Sequence, residues 1–309
     1  MVKQFSQIDV TYGMNTFTIK DLENLSGIKA HTIRIWEQRY HLLNPQRTKT
    51  NIRSYTNVEL KAILNIALLN KYGYKISRID KMTPEEMSQK IALLSQAEAL
   101  QEKLINDLIG AMIDMNMDQF EMLLDDHIRT KGIEKVILRT IFPFLEKVGI
   151  LWVTNHVNPA QEHLATNIIR QKLIMGIEGI RNVPETKHQV LLFLPEGEYH
   201  EVGLLFVYYL LKSRGYKVYY LGANVPLKDV EFTANAKQVA TIYTHLTSVA
   251  HSFNFEKFLI NAHNRMPDRT IMISGLLAQQ YTKKVPPSIH IKKSLGEVMD
   301  SFHISRIMD

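Results

Sequence analysis

Residues 18–40 read TIKDLENLSGIKAHTIRIWEQRY, and this stretch decides what stands at the front of the chain. Thr18 followed three residues later by Asp21 is a capping-box-like start, in which hydroxyl and carboxylate satisfy backbone donors at a helix N-terminus. Ile19, Leu22 and Leu25 then make one apolar stripe at helical spacing. Ser26-Gly27 breaks the helix, and Ile28, Ile33 and Trp36 open a second apolar pattern. Helix, tight glycine turn, helix is the helix-turn-helix arrangement. The second helix carries Lys29, His31, Thr32, Arg34 and Arg39. Long cationic side chains on an exposed helix face reach phosphates and base edges in a major groove.

Outward from this pair, residues 44–53 are polar and basic and suit a hairpin wing, with Arg47, Lys49 and Arg53 placed to lie along a phosphate backbone and Tyr55 just beyond. Charge follows the same division. Residues 1–95 carry fourteen Lys/Arg against eight Asp/Glu, residues 96–184 nine against twelve, and residues 185–309 fourteen against eleven. The first segment is the one suited to a polyanion.

The chain has 309 residues, 45% hydrophobic and 22% charged, an ordinary globular composition spread over two or three domains. No apolar run is long enough to span a bilayer, the first fifteen residues lack a secretory apolar core, and a membrane role is not expected. With no cysteine, disulfides and thiolate zinc sites are excluded, and a cytoplasmic location fits. The twelve histidines show no His-x-x-x-His pairing, which argues against a zinc enzyme.

Four parts follow from pattern: residues 1–81 as the DNA-binding head, 82–95 as a helix start or linker, 96–184 as a helical bundle, and 185–309 as strands alternating with helices. In the bundle, Leu104, Ile105, Leu108, Ile109 and Met112 keep helical spacing, as do Phe120, Leu123, Leu124, Ile137, Ile141, Leu145 and Val148. Trp152 is followed after nine residues by Glu162-His163, with Pro159 in the first turn of a helix, where its missing donor costs nothing. In the last part we expect strands near 189–194, 217–221, 240–244 and 270–274, and helices near 202–212, 227–235 and 253–264. That alternation predicts an open parallel sheet, with ligands at the carboxyl ends of its strands.

Two resemblances are carried by these residues. Arg34-Ile35-Trp36-Glu37-Gln38-Arg39-Tyr40, then Leu42 to Arg47, then Arg53-Ser54-Tyr55, resembles the MerR winged-helix signature, which implies dimers on a pseudo-palindromic double-stranded operator. Glu198-x-His200-x-x-Gly203 resembles the cobalamin-binding motif. A neutral imidazole suits cobalt, a neighbouring carboxylate can hold its other nitrogen, and a glycine lets a ligand approach the backbone. MerR head, bundle with the Trp-Glu-His set, and this motif together are similar to the CarH/LitR photoreceptor regulators.

That resemblance implies a multidomain α and α/β fold: winged helix-turn-helix, four-helix bundle, and a Rossmann-like open parallel sheet of cobalamin-binding type. It implies adenosylcobalamin with His200 as the cobalt ligand and Trp152, Glu162 and His163 on its upper face. It also places Glu198, Gly203, Thr244, Leu246, Ser274 and Gly275 around the cofactor, the last four through a Ser-x-Leu-like Thr244-His245-Leu246 and a Gly-Gly-like Ser274-Gly275. Ser274 adds a side chain where the nucleotide tail should pass, and Val153 stands where light-sensing members commonly have His, with His156 nearby. The expected activity is cofactor-driven assembly, from dimer to tetramer, that alters operator binding, with light as a candidate signal. The alternatives are a regulator of the same type that binds no cofactor and uses its last domain as an interaction module, and a cobalamin enzyme. The enzyme reading lacks residues for a substrate-activating barrel.

Overall fold

The computed structural model describes residues 15–40, 42–47, 51–153, 157–247 and 253–304. They fall into two compact units, divided between Asn167 and Ile168.

The first unit opens with α1 (Ile19–Ser26), where Thr18 and Asp21 form the expected capping box. Gly27 ends it at φ 74°, a conformation costly for residues with a Cβ. Helix α2 (Ala30–Tyr40) follows, then a hairpin of β1 (Gln46–Arg47) and β2 (Arg53–Ser54) paired antiparallel. Phe17 and Tyr55 exchange backbone hydrogen bonds of 2.8 and 2.9 Å, so the segment before α1 is tied to the wing. Helix α3 (Asn57–Lys71) starts in a second capping box of Thr56 and Glu59. The short α4 (Ile76–Ile79) and then α5 (Pro84–Ala92) complete the head. Part of the segment expected as a linker is therefore a helix: Thr83 and Glu86 cap it, Pro84 occupies its first turn, and it packs on α3.

Four helical passes come next: α6 (Ala97–Ile113), α7 (Met117–Lys131), α8 (Ile133–Val136) running through a π-helical turn at Ile137–Ile141 into α9 (Phe142–Val153), and α10 (Pro159–Gly179). The predicted stripes bury as expected, with Leu108, Ile109, Met112, Phe120, Leu124, Ile137, Ile141 and Val148 in the core. Each such side chain contributes about 1.5–3 kcal/mol by leaving water. Head and bundle meet through α3 and α6, where Lys61 pairs with Asp114 at 2.5 Å and Lys71 with Glu102 at 2.6 Å. Gln161, buried, donates to Ile113 O at 2.7 Å and accepts from Asn15 at 3.1 Å. The division between the units falls within α10, ahead of the boundary after residue 184 that pattern suggested.

The second unit alternates β3 (Gln189–Pro195), α11 (Val202–Lys212), β4 (Lys217–Val225), α12 (Leu227–Lys237), β5 (Thr241–His245), α13 (Phe255–Arg265), β6 (Thr270–Ser274), α14 (Leu276–Gln280), β7 (Ile289–Ile291) and α15 (Leu295–Ser301). The five strands pair in parallel in the order β4-β3-β5-β6-β7. The chain leaves β3 on one side and returns on the other, so the strand order reverses between β3 and β5, where doubly wound sheets take ligands. One sheet face buries Leu191, Phe193, Ile242, Leu246, Ile271 and Ile273 against Val230, Ala234, Phe258 and Ala262 of α12 and α13. No described helix is long and apolar enough to cross a membrane.

Candidate DNA-binding and cofactor sites

In the head, His31, Arg34, Arg39 and Arg47 are exposed and Thr32 is half-buried. Ile33 and Trp36 point inward, so the cationic residues occupy the outer face of α2. Lys29 is exposed but engaged: its ammonium lies 3.3 Å from Glu23, whose carboxyl it holds below the usual range. Arg47 donates to Asn51 at 2.7 Å across the wing. Lys49 lies outside the described residues. Two expected contacts have other positions. Tyr55 is fully buried, its hydroxyl donating to Glu37, and burial with that carboxylate raises its pKa. Arg53 donates from Nε to Glu37 at 2.8 Å. Glu37, which the sequence reading used only as part of a signature, therefore joins α2 to the wing.

These placements separate two kinds of residue. Arg47→Ala is expected to weaken binding to all DNA sequences alike and to reduce the slope of log affinity against log salt by about one unit, as for one phosphate contact. Salt titration of binding to operator and random duplexes checks this, and a loss confined to one base position would make Arg47 a base reader.

In the second unit, the loop from β3 to α11 holds Glu198 and His200. Glu198 is completely buried, and its carboxylate accepts from four donors. Oε1 takes the backbone N–H of Tyr199 and of His200 at 2.9 Å each, and Nδ1 of His200 at 2.6 Å. Oε2 takes the backbone N–H of Thr247 at 2.8 Å. Since a carboxylate only accepts, His200 carries its proton on Nδ1, and a metal held by this ring would have to meet Nε2. Asn224, not anticipated, fixes the loop by accepting from Gly197 N at 3.0 Å while its own N–H reaches Glu198 O at 3.2 Å. Glu201 accepts from Tyr220 at 2.7 Å and from Arg170 at 2.5 Å, tying α10, α11 and β4 together.

The carboxyl end of β5 departs from expectation. Thr244 and Leu246 share the sheet face of Ile242, and Leu246 belongs to the core on the α12–α13 side. Tyr243 and His245 are the residues that meet Ser274: the Tyr243 hydroxyl lies 2.6 Å and His245 Nδ1 2.8 Å from its Oγ. A Cβ at Gly203 would sit 2.5 Å from His245 Cδ2, so the space this glycine leaves is filled by an imidazole of the same chain. Burial pushes the His245 pKa down to about 4, so the ring is neutral. Thr244 Oγ1 is buried with no hydrogen-bond partner among the described residues. Gly275 sits at φ 98°, and a Cβ there would lie 2.2 Å from Leu246 O, so backbone packing alone demands glycine.

In the first unit, Trp152 at the end of α9 is 52% exposed, unusual for a tryptophan in a bundle. Glu162 and His163 lie in the first turns of α10, with 2.9 Å between Oε2 and Nδ1, and His163 is exposed. His156 lies outside the described residues.

The residues fit a His-ligated corrinoid at its metal position, through the locked Glu198–His200 pair. The groove below, at Gly203 and Ser274, does not show the space a nucleotide tail needs.

Comparison with known proteins matches two segments of the chain. Residues 17–86 match the MerR HTH family regulatory proteins, and residues 104–175 match the B12 binding domain. The HTH-type transcriptional repressor CarA of Myxococcus xanthus is 28% identical over 279 residues, 87% of this chain and 90% of its own. The repressor CarH of the same organism is 28% identical over 273 residues, 86% of this chain and 91% of its own. A solved monomethylamine corrinoid protein of Methanosarcina barkeri is similar over 66% of this chain and 92% of its own, with a TM-score of 0.45 and 14% identity. The chain thus joins a segment that matches MerR HTH regulatory proteins to one that matches the B12 binding domain. It is homologous to the repressors CarA and CarH over most of its length.

Proposed function

We propose that this protein is a corrinoid-responsive DNA-binding regulator, working in the cytoplasm as a homo-oligomer, and not an enzyme. The observation that carries the reading is the Glu198–His200 pair, in which a buried carboxylate fixes one imidazole nitrogen and leaves ligation to the other. Among the described residues no three His, Asp or Glu side chains are grouped as a metal site. A lone histidine suits a metal whose other positions a macrocycle fills. Bound adenosylcobalamin would supply a light-sensitive cobalt–carbon bond. His200 would hold the metal, and Trp152, Glu162 and His163 would be the residues that meet the adenosyl group. The cofactor acts on DNA binding only through a difference in affinity between assembled and unassembled states.

The deciding experiment mixes purified protein with adenosylcobalamin in the dark, desalts it, records the visible spectrum and then illuminates. A retained spectrum of tail-displaced, His-ligated cofactor is expected, with a change on illumination if light is the signal. A colourless desalted protein removes adenosylcobalamin from the reading. Trp152→Ala is expected to leave the melting temperature near that of the parent, because the side chain is half exposed. It should reduce cofactor-driven assembly on gel filtration, and an unaltered oligomer distribution would count against the assignment.

A further inference from the structure

Cobalamin in its free form places the benzimidazole of its own nucleotide tail on the lower face of cobalt. If His200 takes that position, the tail must leave it and find room below the loop. The inference that follows rests on the corrinoid reading given above.

The groove under that loop is bounded by Gly203 at the start of α11, the carboxyl end of β5 and the carboxyl end of β6. Three side chains of this protein occupy it. His245 packs against Gly203, with Cδ2, Nε2 and Cε1 at 2.5, 2.6 and 3.1 Å from where a Cβ would stand. Its Nδ1 and the Tyr243 hydroxyl both meet Ser274 Oγ, at 2.8 and 2.6 Å. Tyr243 is itself held by Phe302 at a ring-centroid distance of 6.2 Å, and Phe302 by Tyr216 at 6.0 Å. Tyr216 donates from its hydroxyl to Phe302 O at 2.6 Å, closing the layer from β5 to the end of α15. Ser274 Oγ has two partners inside this layer, and Tyr243 is fully buried. Evicting the imidazole would break its bond to Ser274 and reopen packed space, and buried polar groups left unpaired are costly.

We infer that the groove is closed by the Tyr243–His245–Ser274 cluster, so that the corrinoid this chain takes is one whose nucleotide tail stays outside: a cobinamide-class corrinoid, cut off before the nucleotide, binds at least as tightly as cobalamin. The tail, which in an open groove would add contacts, adds none here.

The test titrates the full chain, in the dark, with aquocobinamide and with hydroxocobalamin, reading His ligation from the visible spectrum and compactness from thermal melting. In the parent protein the two affinities should agree within about threefold or favour cobinamide. In His245→Ala, cobalamin affinity should rise by about tenfold while cobinamide affinity stays within about threefold. Ser274→Gly, which keeps the imidazole but loosens it, should move cobalamin in the same direction and serves if the first variant does not fold. Parent protein that prefers cobalamin by tenfold or more overturns the closed groove and leaves the corrinoid reading standing. Cobalamin affinity unmoved in both variants overturns it as well. Failure of parent and variants to take up either corrinoid overturns the cofactor reading and the closed groove together, leaving a cofactor-independent regulator.

Discussion

His200→Ala should lower corrinoid affinity by roughly a hundredfold or more, about 2.7 kcal/mol, while the protein stays folded. The loss is large because the variant removes the side chain proposed as the metal ligand. Disturbing only an outer partner of a ligand typically costs ten- to a hundredfold. The fold should survive because the imidazole is 52% exposed and its removal opens no cavity. Glu198 keeps three backbone donors, from Tyr199, His200 and Thr247. Glu198→Gln makes the contrast. Its amide would turn N–H groups toward backbone N–H groups at a position with no exposure, so ligand affinity and melting temperature should fall together. Equilibrium dialysis with the visible spectrum measures the first effect and thermal melting the second. Uptake by His200→Ala equal to the parent would remove the ligand assignment.

Local signals in the sequence located most of the elements, because the interactions that start and stop helices span few residues. Thr18 with Asp21 and Thr56 with Glu59 cap the helices they precede. The apolar run after Gly203 makes α11 over the predicted residues, and β6 spans Thr270–Ser274 as expected. The Thr83-Pro84-Glu85-Glu86 signal permitted a helix start, and the helix is there. The Glu198–His200 pair was legible because its partners lie two residues apart. What lies around it was not. Tyr243 and His245 meet Ser274 across 31 and 29 residues, and that contact exists only once β5 and β6 pair in the register His245↔Ser274. Along β5 both faces are well buried, so apolar and polar residues do not alternate in a way that assigns sides. The one available signal was period two itself. Ile242, Thr244 and Leu246 must share a face and Tyr243 and His245 the other, which separates Thr244 from Gly203 and Ser274. Asn224 was missed for a related reason: its φ of 57° and its bonds to Gly197 and Glu198 belong to a strand end remote in sequence.

Glu37→Ala should cost the head about 2–3 kcal/mol and lower DNA affinity on every sequence, though Glu37 carries the wrong charge to touch a phosphate. Its side chain is 7% exposed and holds two groups, Arg53 Nε at 2.8 Å and the Tyr55 hydroxyl. Tyr55 is wholly buried, so loss of the acceptor leaves a hydroxyl without its bond in a dry place. Arg53 is 23% exposed and can turn partly to water, which holds the penalty below that of a fully buried pair. The mechanical effect is larger than the energy suggests. Arg53 opens β2, and Tyr55 pairs with Phe17 just before α1, so one carboxylate on α2 braces that helix against the wing. With that link cut, Arg34 and Arg47 would no longer keep a fixed separation, and the phosphate contacts proposed for them would each have to be ordered on binding. Affinity should fall about tenfold or more for operator and random duplex alike, with a lower melting temperature for the head. Arg47→Ala should weaken binding with melting unchanged, so measuring affinity and melting on both variants separates a contact from a brace. A Glu37→Ala protein that binds DNA as the parent does would show that the wing needs no carboxylate to hold it, and would return Arg53 to the surface that faces DNA.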